Sequence, residues 1–113
     1  VTLIATHLDN PGDAASARQA QVAQLLTFWN NASPAVIGGD FNADPDSAAI
    51  TAIVSAGMID SGASLGPAAT TSENNHRIDY LLVTPDLAVT GAEIPDTWAS
   101  DHRPFVVRLR SSP

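Results

Sequence analysis

Apolar residues come in short bursts along this chain, and the spacing within each burst says which element it makes. Val1 to Thr6 is rich in β-branched residues and carries apolar groups on both alternating faces, the pattern of a buried strand. After it the period lengthens. From Ala14 to about Asn30, Val22, Leu25, Leu26 and Trp29 fall at i, i+3, i+4 and i+7, a single apolar stripe along a helix. Asn10-Pro11-Gly12-Asp13 is turn chemistry leading into that helix, with Asp13 as its expected N-cap, and Asn31 to Pro34 stops it. Ala35 to Ile37 reads as a second strand. Asp46 or Ser47 is placed to cap a second helix, Ala48 to Ala56, with Ile50, Ile53 and Val54 as its apolar face and Gly57 as its stop.

The remainder favours strands. Met58 to Asp60 is short; Arg77 to Val83 is the strongest strand pattern in the chain. Pro85-Asp86 turns it into Leu87 to Ile94, expected to lie beside it as an antiparallel neighbour, and Phe105 to Leu109 is the final strand. Ser61 to His76 is a polar loop longer than connections usually are, and such loops are often functional. Pro95 to Pro104 is a second loop. The sum is an α+β domain or part of one, mostly antiparallel sheet with flanking helices. The chain opens at Val1, without methionine and already inside an apolar run, which reads as a fragment or a processed piece.

Composition narrows the chemistry. With 113 residues, 44% of them hydrophobic, the chain can form a core, and it has no cysteine for disulfides or thiolate metal sites. No apolar run approaches the ~20 residues needed to span a bilayer. Five arginines oppose twelve carboxylates, for a net charge of −7. That balance argues against a surface gripping nucleic acid through many phosphate contacts. It leaves a nucleic-acid substrate open, because bound metal ions or a further segment would supply positive charge.

Four places carry candidate chemistry. In Gly38-Gly39-Asp40-Phe41-Asn42, an extended backbone sends Asp40 and Asn42 to one side, and the glycines before them let another backbone or a ligand approach. A carboxylate beside a carboxamide suits a cation, a water or a phosphate. Asp79 interrupts the apolar run around Tyr80 to Val83, where an unpaired carboxylate would cost roughly several kcal/mol. It must therefore lie at the strand's edge or have a partner, and His102 is the candidate. His7 and His102 each sit next to a polar or acidic group, whereas His76, in the polar loop, reads as a solvated bystander. Arg18 lies four residues before Val22 on the inward stripe, with Gln21 beside it. It either snorkels or holds a carboxylate in a site. The alternation Asp40, Asn42, Asp44, Asp46 invites a calcium loop, but Pro45 and Thr51 occupy the positions that need Gly and Glu. Asp44 and Asp46 are more simply a turn and a helix cap.

Taken together, Thr6-His7-Leu8, Gly39-Asp40-Phe41-Asn42, Arg77-Ile78-Asp79-Tyr80 and Ser100-Asp101-His102-Arg103-Pro104 resemble the endonuclease/exonuclease/phosphatase superfamily, the deoxyribonuclease-I-like, metal-dependent phosphoesterases. All four motifs stand in the family's order and roughly its spacing. The resemblance covers nearly the whole chain but only the C-terminal half of the family's domain. It implies that residues 1–113 are half of a four-layer α/β/β/α sandwich whose N-terminal half is absent.

Residue by residue, the resemblance implies that Asp40 orients or deprotonates the attacking water and Asn42 positions water and phosphate. Asp79 would orient His102, which contacts the scissile phosphate; His7 is a further phosphate contact and Asp101 a metal ligand. Apart from the resemblance, their place on the helical stripe makes Arg18 and Gln21 candidates for contacting the substrate or supporting the site. The implied cofactor is Mg²⁺ or Mn²⁺, and the implied partners are a phosphoester substrate (nucleic acid, lipid or small molecule) and the missing N-terminal half. The Asn and Glu with which that half holds the principal metal have no counterpart here, since Glu73 and Glu93 lie outside any matching motif. The implied function is phosphodiester or phosphomonoester hydrolysis by water. One alternative is a catalytically silent chain, either a truncated product or a half-domain that needs a partner segment. Another, a simple acidic cation binder, has no use for the Asp79 and His102 pairing.

Overall fold

A computed structural model describes residues 1–10, 15–66 and 69–111. The expected cap at Asp13 and the first residue of the expected helix, Ala14, lie outside them. Along the chain come β1 (Thr2–His7), α1 (Ala15–Trp29), β2 (Ala35–Asp40), α2 (Ala48–Ser55) and β3 (Ile59–Asp60). A single 3₁₀ turn at Ala63–Leu65 follows, then β4 (Asp79–Val83), β5 (Leu87–Glu93) and β6 (Val106–Ser111). The main sheet has the order β1-β2-β4-β3, with β1 parallel to β2 and the other pairs antiparallel.

One face of this sheet is the core. Ile37 lies opposite Leu82 in the register of β2 and β4, and both are fully buried with Ala35 and Tyr80. Val22, Leu25 and Trp29 of α1 and Ile50 and Ile53 of α2 join the same cluster, so both helices cover that face. The Ser47 hydroxyl caps α2 by accepting from the Ile50 N–H at 3.2 Å, so the cap is Ser47 rather than Asp46. Phe41 meets Tyr80 edge-on, with ring centroids 5.4 Å apart. Burial pushes the Tyr80 hydroxyl well above its ordinary pKa, and it stays a donor, 2.7 Å from the Ala43 carbonyl. The chain just beyond β2 is pinned by that contact.

Three expectations need correction. β1 is not a buried strand: it lies at the sheet's edge, and Leu3 is 75% exposed on the face away from the helices. Val54 is likewise outside the core, because only Ile50 and Ile53 of the α2 stripe turn toward the sheet. The segment Leu87 to Glu93 does not flank β4, both of whose edges are occupied by β2 and β3. The Thr84-Pro85-Asp86 turn, closed by Leu87 N–H to the Thr84 carbonyl, sends it away to pair with β6 in a two-stranded ribbon. A buried bidentate pair, Arg77 to Asp60 at 2.7 and 3.0 Å, ties together the two ends of the long loop before β4. None of the helices among the described residues is long and apolar enough to cross a membrane.

Gly39 sets how closely β1 and β2 approach. Its φ is +144°, and a β carbon there would lie 1.8 Å from the Thr6 carbonyl oxygen. Gly39→Ala should therefore lose about 3 kcal/mol or more of unfolding free energy. Gly57→Ala, at φ +113° with open space around it, should lose only about 1–2 kcal/mol of backbone strain. Denaturant titration of both variants checks this; equal losses would mean that the close approach is not what Gly39 secures.

Candidate active site

Strand register brings the first three candidate residues together. His7 lies opposite Asp40, and Asp40 lies opposite Asp79, at one end of three neighbouring strands. Side chains alternate along a strand, so these three share the face of Leu3, Val36 and Leu81, opposite the helices. One face is therefore given over to burial, and the other presents the chemistry.

Within this row each Asp40 oxygen has a separate setting. Oδ1 accepts the Asn42 N–H at 2.9 Å, while Oδ2 stands 3.6 Å from His7 Nε2 and 3.8 Å from His102 Nε2. Asn42 adopts a left-handed backbone, φ 48°, and its amide donates to the Leu8 carbonyl at 2.6 Å. The turn after β2 is thereby fastened to the end of β1.

His102 reaches the site on the loop before β6. Its Nδ1 lies 2.7 Å from Asp79 Oδ2, and the carboxylate can only accept, so Nδ1 carries the hydrogen and Nε2 faces Asp40. The hydrogen bond to Asp79 raises the His102 pKa above its ordinary value of 6.5; burial opposes the shift, and the charges of Asp79, Asp40 and Asp101 add to it. Asp79 is both things the sequence required: the first residue of its strand and a paired carboxylate. Asp40, Asp79 and His102 form a group whose ligand atoms all lie within 4.8 Å of one another, a cluster able to hold a metal ion.

The other candidates stand apart from this cluster. Asp101 is exposed, accepting from the Ser100 hydroxyl at 3.2 Å. Arg18 and Gln21 do not reach a site carboxylate. Arg18 donates to the Asp9 carbonyl and Gln21 accepts the Asp9 N–H, both at 3.1 Å, clamping the backbone two residues beyond His7. His76 is half exposed, as a solvated loop residue should be, and its Nδ1 is 2.8 Å from Asp44 Oδ1.

Two residues not singled out from sequence hold the site together. The Thr71 hydroxyl oxygen accepts the N–H groups of Ile78 and Asp79 at 3.0 and 3.2 Å, and the Thr71 carbonyl accepts the Arg103 N–H at 2.7 Å. Ser72 pairs with His102 as an antiparallel bridge. Both are buried, so their polar groups need these partners. The only sequence signal was faint: Thr70-Thr71-Ser72 favours extended backbone inside a polar loop.

Comparison with known proteins bears on the family and the fold. The model of the endonuclease/exonuclease/phosphatase family matches residues 3–102. A search of curated proteins finds no match. Among solved structures, an endonuclease/exonuclease/phosphatase from Beutenbergia cavernae DSM 12333 is 26% identical, with a TM-score of 0.81 over 96% of this chain and 36% of its own. The human Nocturnin catalytic domain with bound sulfate is 24% identical, with a TM-score of 0.75 over 92% of this chain and 46% of its own. A mannosyl-6-phosphatase of Bacteroides thetaiotaomicron VPI-5482 is 27% identical, with a TM-score of 0.56 over 96% of this chain and 50% of its own. The chain thus spans half the length, or less, of these solved structures, and its α+β fold corresponds to half of a four-layer sandwich. With the family model covering residues 3–102 and the motif residues meeting at one sheet end, the chain belongs to the endonuclease/exonuclease/phosphatase family.

Proposed function

We propose that this chain is the water- and phosphate-positioning part of a metal-dependent phosphoesterase, hydrolysing a phosphodiester or phosphomonoester by direct attack of water. The observation that carries this reading is the division of labour around Asp40: one oxygen is fixed by Asn42, and the other is left free between two histidines. The free oxygen is the base that orients the attacking water and takes its proton as the new O–P bond forms. His102, held by Asp79, directs Nε2 at the phosphoryl group. As an imidazolium it stabilises the charge that builds there while the bond to the leaving oxygen breaks. His7, largely exposed beside Asp40, is a second phosphate contact.

A divalent cation fits the donor set. The carboxylates of Asp40 and Asp79 are hard oxygen ligands of the kind Mg²⁺ and Mn²⁺ take, with Asp101 as a further carboxylate on the same loop as His102. When bound, such an ion neutralises phosphate charge and polarises the phosphoryl oxygen. These groups are fewer than the roughly six oxygens such an ion takes, so water, phosphate and donors from a further segment would have to supply the rest. The mannosyl-6-phosphatase among the structural neighbours supports a phosphomonoester, and the net charge of −7 leans away from duplex nucleic acid.

A second reading has this stretch silent alone and active only when a further segment of the domain covers its open face. The observation favouring it is the exposed apolar surface of Leu3 and Ile59 on the site's own face, with Phe28 on α1 beside β1. Comparing the 113-residue chain alone with the same chain supplied with the N-terminal half of a family member, on a generic phosphodiester, separates the two. Mg²⁺-dependent turnover by the short chain would exclude the silent reading.

In the full-length protein, Asp40→Ala or His102→Ala should lower kcat/KM by about 10²–10⁴-fold, and chelation should abolish turnover. Near-normal rates in either variant would show that the residue concerned takes no part in water attack or phosphoryl stabilisation. A second expectation concerns pH. Because the folded His102 pKa is raised, the imidazolium persists above 6.5, and the stability from its pairing with Asp79 is complete below 6.5 and fades as pH rises through the raised value. Asp79→Asn should move the His102 ring-proton titration, followed by NMR in chelated protein, down toward 6.5, and draw the alkaline limb of activity with it. An unmoved titration would show that Asp79 does not control this proton.

A further inference from the structure

His76 and Asp44 have no role in the reaction outlined above, yet they line a small groove that also contains Asn42. This groove encloses about 200 Å³, below the ~300–1,000 Å³ of pockets for drug-sized ligands and suited to a single ring. Besides those three residues it is lined by Asn10, Ser72 and Asn74. Three carboxamides, a hydroxyl, an imidazole and a carboxylate are all side chains that exchange hydrogen bonds with neutral hydroxyl groups. Ile78 is the single apolar contribution among the described lining residues, and the His76 imidazole is the one ring; none of them is Arg, Lys, Phe, Tyr or Trp. A second phosphate would be better served by Arg or Lys beside the imidazole, and a nucleobase or aryl group by a larger aromatic face than one imidazole offers.

The lining is held in place before any ligand arrives. His76 Nδ1–H donates to Asp44 Oδ1 at 2.8 Å, which leaves Nε2 and the second Asp44 oxygen to meet a ligand. Ser72 to Asn75 is a tight turn closed by Asn75 N–H to the Ser72 carbonyl at 3.1 Å, with Asn75 at φ 62°. The His76 carbonyl accepts the N–H groups of Thr71 and Ser72 at 2.9 and 3.0 Å. Asn74 therefore sits on a fixed turn. Asn42 couples the groove to the reaction, since its N–H fixes the Asp40 carboxylate.

We propose that this groove is the subsite for a polyhydroxylated group, a sugar or cyclic polyol, carried by the phosphoester whose phosphate lies at Asp40 and His102. The proposal builds on the phosphoesterase reading but is tested apart from it. Asn42 holds the junction between the two, and Asp44, His76 and Asn74 read the hydroxyls.

Binding is measured first, on the natural full-length protein with phosphate-free probes, by saturation-transfer NMR with myo-inositol, methyl mannoside and ribose. At least one should show contact, and Asn74→Ala and His76→Ala should each weaken it roughly tenfold, as expected when hydroxyl partners are removed. Asp40→Asn should keep it. No contact by any probe, or contact unchanged in both groove variants, overturns the proposal. Kinetics follow with inositol phosphate, a hexose phosphate and a ribonucleotide, each against phenyl phosphate. The ratio of kcat/KM for the preferred polyol substrate to that for phenyl phosphate should fall roughly tenfold in each groove variant, mainly through KM. Equal losses on both substrates would reveal a merely structural role and also overturn it, while His76→Gln, which keeps a polar side chain, should retain part of the preference. If the wild-type protein hydrolyses none of these esters, the phosphoesterase reading fails and the binding result alone decides the groove.

Discussion

The Thr6 carbonyl fills the space where a β carbon on residue 39 would sit, 1.8 Å away, so β1 and β2 meet in their parallel register only because that residue is glycine. One step further along the same register His7 faces Asp40, and across the next strand pair Asp40 faces Asp79. The geometry of the site is thus a backbone property before it is a side-chain property. No contact among the three polar residues selects their alignment, since two of them are carboxylates that repel. The alignment is held by the apolar pairing behind it, Ile37 against Leu82 with both helices packed over them.

Electrostatics follows from that imposed row. Two like charges side by side are tolerated because each has an outlet: Asp40 through the Asn42 N–H, Asp79 through the ring N–H of His102. What remains is a cluster with spare acceptor capacity, open to solvent on a face where Leu3 is also exposed. Such a cluster attracts cations and carries little intrinsic affinity for anions. In the proposed reaction a phosphoester there would be held through the imidazolium and a bound metal ion.

Much of this was legible in the residues. The helix periods at Val22 to Trp29 and Ile50 to Ile53, the β-rich runs, the Asp40 and Asn42 spacing and the misfit of Asp79 in an apolar strand each follow from local patterns. The pairing partner of Leu87 to Glu93 did not, because adjacency in sequence favours a hairpin with β4 while that edge of β4 is claimed by Ile59 and Asp60. The exposure of Leu3 was hidden for a related reason: an apolar strand looks the same whether it is central or at an edge. The role of Arg18 is not legible because its partner is a backbone carbonyl, which every residue possesses. Thr71 gives no signal because a hydroxyl in a polar loop carries no sign that it is buried. The pairing of the solvated His76 was not legible because its partner Asp44 lies 32 residues away.

Thr71 also acts mechanically. Its hydroxyl grips the start of β4, including Asp79; its carbonyl grips Arg103, next to His102; and its own N–H reaches the His76 carbonyl at the far side of the turn. One residue therefore serves as a common fulcrum for the segment carrying Asp79, the loop carrying His102 and the turn carrying His76. The turn and the loop that carries His102 are joined a second time, by the Glu73 N–H to the Asp101 carbonyl at 3.0 Å, so the backbone on both sides of the ring is anchored.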